Sequence, residues 1–423
     1  MVLLLPVLLV AAAVCWMPFI SSVVGEVTMV EDDAGALHIN TSDPMNQPVF
    51  VNGVNVHETL STLMRTVSVQ QNTIDAQQNT IDAQQSAINA QQAAIDRVRG
   101  KVCFPSATTF GQLGSAGAKW LGGALANNGL IYAAPYNSPS VLIIDPSTNT
   151  IDTTTISGFA LNGGKWAGAV LAHNGFIYMF PSRRETVLII DPATNTKDTS
   201  SIHSLEPGGD KWYSGVVASN GLIFGIPLFA TSVLIIDPET NTADITTLSG
   251  LSSQAYKWYG GVQADNGLIY CIPRLASSVL IINPESLTMD STTITRLGTS
   301  EASKWYGGVL ARSGLMYTIP AFSARTLVID SATNATSTLV VADATTSNKW
   351  IGGVLAPNGN IIGIPYFSRS VLIFDSTTNT TDTTTINDLA GTAKWWDGVL
   401  GSNGLIYGIP SYAESVLVID PGC

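Results

Sequence analysis

The sequence predicts an all-β head, a seven-bladed β-propeller, preceded by an N-terminal α-helical coiled-coil arm. Three observations predict it. A Lys-Trp pair occurs seven times, beginning at Lys119, Lys165, Lys211, Lys257, Lys304, Lys349 and Lys394, at spacings of 46, 46, 46, 47, 45 and 45 residues. A period near 45 belongs to propeller blades rather than to helical solenoids. Each interval carries four strand-like pieces broken by Gly, Pro, Asn and Thr. Upstream, isoleucine returns every seventh residue, at Ile74, Ile81, Ile88 and Ile95, the spacing of a coiled-coil seam.

Bulk properties narrow the function. The 423 residues carry a net charge of -12, and only 12% of them are charged, while mean hydropathy is +0.26. The acidic balance argues against nucleic acid, which needs basic clusters to neutralise phosphates. Nine lysines occur in all, and seven of them occupy the one repeat position.

In chain order, residues 1–25 contain no charged side chain and read as a secretory signal, with an apolar stretch at Val2 to Val14 and a small-residue exit at Val23-Val24-Gly25. The alternative is an uncleaved anchor, the one case in which this chain would meet a membrane. Either way the remainder is exported, to the cell surface or beyond. Sequons at Asn40, Asn334 and Asn379 are candidate glycosylation sites.

Residues 26–55 form an exported segment with a short hairpin around Asn52-Gly53. Asn55 and Glu58 then form a capping box for a helix over 56–99. With Ile in one seam position, the other is Gln70, Gln77, Gln84 and Gln91. One isoleucine per two turns buries too little to keep a lone helix folded, so the heptads imply a parallel homo-oligomer, trimer before dimer. A Gln/Asn-rich disordered linker is the competing reading.

The head spans 103–423. In the second repeat its pieces are Trp166 to Ala172, Gly175 to Phe180, Thr186 to Ile190 and Asp198 to Ile202. Small residues after each Lys-Trp suit an innermost strand crowded around an axis. The continuous apolar third piece suits a strand buried on both faces, and the Thr-rich fourth suits a solvated edge. The seventh repeat ends before its fourth strand, and Ser106 to Phe110, before the first repeat, supplies it. Along the same frame Cys423 and Cys103 replace the neighbours Thr194 and Asn195, which places them within disulfide reach. Cys271 falls in a buried strand position and reads as an inert thiol.

The runs Asn128-Gly129-Leu130-Ile131-Tyr132 and Ser140-Val141-Leu142-Ile143-Ile144-Asp145-Pro146-Ser147-Thr148-Asn149-Thr150, repeated along the head, resemble YVTN-type β-propeller repeats over Cys103 to Cys423. The Lys-Trp-x-Gly-Gly opening departs from that family. The resemblance implies a propeller of a kind often found on cell surfaces, with no family-wide catalytic residues and no cofactor.

Ordinary propeller order puts the Lys-Trp pairs and the loops after each second strand on one face. Two readings of the lysines follow: Trp wedged between blades with Lys donating to backbone carbonyls, or a lysine ring at the channel mouth that attracts an anionic ligand. The variable loops offer Tyr136, Arg183, Arg184, Arg274, Arg325, Tyr366, Arg369 and Tyr412, the residue types of recognition hot spots, unless they are simply solvated. Scattered acids on this face are Glu185, Asp210, Asp397 and Glu414. No metal-ligand spacing, nucleophile elbow or phosphate loop occurs, and of the histidines only His203 could approach the mouth. The sequence thus predicts a non-enzymatic, multivalent binding protein for glycans or surface proteins. The alternatives are a structural component of an extracellular layer and a propeller lyase or lactonase.

Overall fold

A computed structural model describes residues 27–31, 33, 37–41, 49–51, 53–161, 163–298, 304–341 and 348–423. The leader expected over 1–25 lies outside the described residues. The chain divides into two compact units, Met1–Val98 and Arg99–Cys423.

In the first unit, Val27–Glu31 pairs antiparallel with Leu37–Thr41, a pairing the sequence reading missed, and Asn40 lies on the second of these strands. Phe50–Val51 and Val54–Asn55 close the expected hairpin, with Gly53 at φ 82°. A helix runs Val56–Val102, and Asn55 Oδ1 accepts the Glu58 amide at its start, 3.2 Å away. Gln71–Asp75, Gln78–Asp82 and Gln85–Asn89 bond one turn apart along it. Ile74, Ile81, Ile88 and Ile95 stand 46–56% exposed on this one helix. Among the described residues no helix is long and apolar enough to cross a membrane.

In the second unit seven four-stranded antiparallel sheets form seven blades, numbered here by their Lys-Trp pairs. Blade 1 is Trp120–Leu125, Ile131–Pro135, Leu142–Asp145 and Thr150–Asp152, and blades 2 to 6 repeat that order. Blade 7 is Trp395–Leu400, Ile406–Pro410 and Val416–Asp420, completed by Ser106–Phe110 from the start of the head, paired Val416↔Phe110 through Asp420↔Ser106. Cys103 and Cys423 are bonded, with Cα atoms 5.4 Å apart. Cys271 is buried against apolar neighbours, and that burial raises its pKa.

Blade sequences fold this way because each apolar second and third strand packs between two neighbouring sheets. Trp166, for example, closes a cluster with Tyr132, Val141 and Ile156 of blade 1 and Ile177 and Leu188 of its own blade. Its indole N–H donates to Thr186 O at 2.7 Å, and every other blade repeats that bond twenty residues on, as Trp212 does to Ser232 O.

The fourth piece differs from expectation. In blades 1 to 4 and 6 the outer strand is three residues, such as Thr196–Asp198, and the Thr-rich run after it turns away. The aspartate ending each strand gathers that run: Asp290 Oδ1 accepts the Thr292 amide at 2.6 Å. The Thr293 hydroxyl first, and then the Thr292 amide, hold Asp290 down to about 2. Local side-chain bonds here outcompete the sheet ladder. Blade 5 has Ser337 where those five blades have that aspartate, and its outer strand continues over Ala335–Val340.

On the face opposite the Lys-Trp pairs, a second device joins the blades. Tyr132 OH donates to Asn195 Oδ1 at 2.6 Å, and Tyr178, Tyr270, Tyr317 and Tyr407 repeat the bond to Asn241, Asn334, Asn379 and Asn149 of the following blade. Each of those asparagines has φ between 51° and 56°, a left-handed conformation that Asn tolerates better than most residues. The sequon residues Asn334 and Asn379 are therefore two members of this set.

Candidate functional site

Each lysine is a joint between blades. Its backbone amide donates to the residue after the second-strand proline of the preceding blade, from Lys119 to Ser411 O at 3.0 Å through Lys394 to Tyr366 O at 2.9 Å. The ammonium groups turn the same way: Lys394 Nζ reaches Tyr366 O, Ser368 O and Gly391 O at 3.2, 2.7 and 3.2 Å. Lys211 and Lys257 are held similarly by three carbonyls each. All seven lysines are 4% exposed or less. They lie beneath the loops, not around an open mouth, and burial lowers Lys119, Lys165, Lys257 and Lys394 to about 8. Where it is described, the residue before each lysine is left-handed, with φ from 49° at Ala118 to 56° at Asp210 and Tyr256.

The residue after each Trp reaches the axis on this face. Leu121, Ala167, Tyr213, Tyr259, Tyr306, Ile351 and Trp396 join one apolar cluster that also contains Tyr366. Ring centroids are 5.6 Å apart for Tyr213 and Tyr259, 4.8 Å for Tyr259 and Tyr306, and 4.9 Å for Tyr366 and Trp396. The Trp396 indole N–H donates to the Tyr259 hydroxyl. The aromatic groups thus close the axis like a plug. Sequence reasoning missed these rings because they follow the Trp directly, in a stretch read only for its small residues.

Above the plug lies a shallow basin of about 390 Å³, lined by Tyr136, Arg183, Tyr213, Tyr366, Trp396 and Tyr412 among others. One edge is held by Asp210, whose Oδ1 accepts Arg183 Nε at 3.1 Å, Ser182 Oγ at 3.1 Å and Tyr213 OH at 3.2 Å. Tyr136 and Tyr213 share a hydroxyl bond of 2.8 Å. Burial first, then their mutual contact and Asp210, raise Tyr213 above the ordinary phenol range, so both phenols are neutral hydrogen-bonding groups. Tyr412, 46% exposed, lines the same basin.

Of the residues singled out from sequence, the fold brings Tyr136, Arg183, Tyr366 and Tyr412 together at this basin. Arg274 stacks over Tyr256 and Tyr306, with its guanidinium carbon 4.1 and 4.6 Å from the ring centroids. Three residues fall elsewhere. Arg184 lines a separate groove with Lys165, Trp166 and Glu185. Arg325 begins the third strand of blade 5 and bonds Thr338, because that strand starts earlier than its counterparts. Arg369 pairs with Asp388 at 3.3 Å, both exposed. His203 is exposed beside Ser204, with Nδ1 2.7 Å from its hydroxyl, and no described histidine lines the basin.

Asp397, read from sequence as a scattered acid of this face, lies instead on the axis below the plug. It occupies the second position after Trp, where the other blades have Gly122, Gly168, Ser214, Gly260, Gly307 and Gly352. Those residues are small of necessity: a Cβ on Gly168 would come 2.7 Å from Tyr213 O, and one on Gly260 2.9 Å from Tyr306 O. Burial raises Asp397 to about 6, against the opposing effect of the Gly398 amide that it accepts.

The class this architecture defines is the seven-bladed β-propeller, and solved structures agree. The chain is similar to streptogramin B lyase (TM-score 0.58, 11% identity, 75% of this chain and 98% of that one). It is also similar to virginiamycin B lyase from Staphylococcus aureus (TM-score 0.60, 9% identity, 74% and 99% covered). A third similar structure is the extracellular domain of a one component system from B. thetaiotaomicron (TM-score 0.54, 10% identity, 74% and 42% covered). No family model matches the sequence, and no curated protein gives a significant match. At these identities the likeness shows the fold alone.

Proposed function

We propose that this chain is an extracellular binding protein that recognises glycans or protein surfaces through the aromatic basin, with several heads presented on a self-associating helix. The basin carries the reading: Tyr136, Tyr366, Trp396 and Tyr412 beside Arg183 form a wide, shallow, ring-lined surface, suited to stacking on sugar faces and to hydrogen bonding at its edge. A shallow site binds weakly by itself, and the helix supplies the remedy. Its isoleucines recur every seven residues at 46–56% exposure, so partner copies would cover them, a trimer before a dimer, and multiply affinity by avidity. The uncharged leader, the resemblance to YVTN-type repeats and the likeness to an extracellular domain support placement outside the cell. Asn40, Asn334 and Asn379 remain the candidate glycan acceptors.

The streptogramin B lyases favour a second reading, an enzyme at the same face. Against it stands the composition of the basin, which pairs its one described carboxylate, Asp210, with Arg183 and brings no histidine to act as a general base. The test is a glycan array probed with the full chain, Tyr412→Ala, Tyr136→Ala and a form lacking residues 56–99. Signal lost in the tyrosine variants and weakened at least tenfold without the helix supports the proposal. Signal indifferent to both tyrosines would sink it, and consumption of a streptogramin B by the full chain would establish the lyase reading instead.

A further inference from the structure

Below the aromatic plug the inner strands enclose an axial cavity of about 130 Å³, lined by Gly168, Ser214, Gly260, Gly307, Gly352 and Asp397 with their neighbours. Asp397 is the one carboxylate in that lining. Its two oxygens reach opposite ways: a Cβ placed on Gly352 would clash with Oδ1, and one on Gly122 would lie 3.4 Å from Oδ2. The carboxylate therefore spans the ring from blade 6 to blade 1. The side chain is half-buried and lines the cavity, deep enough among the inner strands that desolvation is the main influence on its titration.

Its partners do not balance its charge. Among the described residues it accepts one hydrogen bond, from the amide of Gly398 at 2.9 Å, and neither ion pair of the head, Arg183–Asp210 or Arg369–Asp388, involves it. A carboxylate this deep among the inner strands with no cation beside it is poorly compensated. Around it the ring is rich in neutral oxygen. The carbonyls of Ala167, Tyr213, Tyr306 and Ile351 each lie against the axial glycine of the preceding blade, and Ser214 Oγ bonds Tyr259 O at 2.5 Å.

We propose that the axial cavity is a binding site for a hard cation of the calcium type, held by the Asp397 carboxylate with backbone carbonyl and water oxygens. The volume suits an ion with a few waters and excludes an organic ligand. No described histidine or cysteine lines the cavity, which argues against zinc or copper. The site is independent of the basin above, from which the plug separates it, and the failure of either proposal leaves the other standing.

The test uses the full chain with terbium as the probe, excited through the indole of Trp396, the neighbour of Asp397. Sensitised emission is expected in the parent, reduced at least fivefold in Asp397→Gly and Asp397→Asn and displaced by calcium. Calcium should also raise the thermal midpoint of the parent by several degrees over a chelator-treated sample, and sodium or magnesium by less. Asp397→Gly restores the residue found in five of the other blades, so it should fold. If it does not, the asparagine variant and the calcium shift of the parent decide. Emission retained in either folded variant, or a parent indifferent to calcium and chelator, overturns the proposal.

Discussion

Blade 2 and blade 7 are built on the same repeat and secured differently. Blade 2 receives the Tyr132 hydroxyl on Asn195 and offers Tyr178 to Asn241. Its axial residue is Gly168, with the inner-strand register shifting between Trp166 and Ala169. Blade 7 is assembled from both ends of the head. Where a tyrosine–asparagine bond should tie blade 6 to it, the tyrosine is Ile362, and the turn that carries the asparagine in other blades is cut and closed by the Cys103–Cys423 bond. Its register recovers one residue earlier, at Asp397, which pairs with Ile409, so a charged side chain enters the ring of glycines. Blades 3 and 4 show the same logic without a substitute: Phe224 has no hydroxyl, and Leu287 stands in the left-handed position, φ 49°, that Asn fills elsewhere. Both members of a bond are absent together. The lesson is that the seam is a two-residue device, and a blade that loses it needs another means of closure only where the chain itself is cut.

The largest test of that contrast removes the disulfide. Cys103→Ser with Cys423→Ser should cost several kcal/mol, about 5 at the upper end for so long a loop, read as a lower denaturant midpoint that reducing agent reproduces in the parent. An unchanged midpoint would mean that the Ser106–Phe110 strand closes the ring unaided. Next, Lys165→Met and Lys394→Met should each destabilise by about 3 kcal/mol, since carbonyls held by the ammonium lose their donor. Equal losses would mark the lysine as the joint common to both blades, whereas a loss confined to one would make it a local feature.

Asp397 gives a pH signature that blade 2 cannot. Its pKa is raised from 3.8 to about 6, so the folded protein holds that proton more tightly than the unfolded chain. The contribution of Asp397 should therefore be full below about pH 4 and be lost as pH rises through about 6, by about 2–3 kcal/mol in chelator-treated buffer, opposite in sign to the outer-strand aspartates such as Asp290, whose contribution is lost as pH falls below about 4. Asp397→Gly should lack that slope in melts taken across the range, and a persistent slope would point to other groups. The smallest effect is at the seams. Tyr132→Phe should cost about 1 kcal/mol, and installing both Phe224→Tyr and Leu287→Asn should recover a coupling of about 0.5–1 kcal/mol that neither gives alone. A double-mutant cycle checks it.

Much of this was legible before the fold. The seven Lys-Trp pairs gave the blade count, and the missing fourth strand of the last repeat pointed to Ser106–Phe110 and to the Cys103–Cys423 bond, because an exact repeat turns sequence position into spatial position. The same regularity misled at the outer edge. Threonines that suit a strand by propensity were captured by the aspartate before them, and the strand stopped at three residues. Ambiguity over the lysines had another cause: a cation seven times repeated reads alike as a joint or as a charged mouth until the loop carbonyls around it are placed.

Periodicity in the chain sufficed to define the toroid, its closure and the helix with its heptad stripe, since each follows from spacing that any fold of this repeat must respect. Which side chains meet at the axis was decided only in three dimensions. Tyr213, Tyr259, Tyr306 and Trp396 come from four blades and become a plug through convergence around a centre, and Asp397 is a lone substitution among glycines whose significance depends on the ring that surrounds it. Contacts made across an axis have no period along the chain.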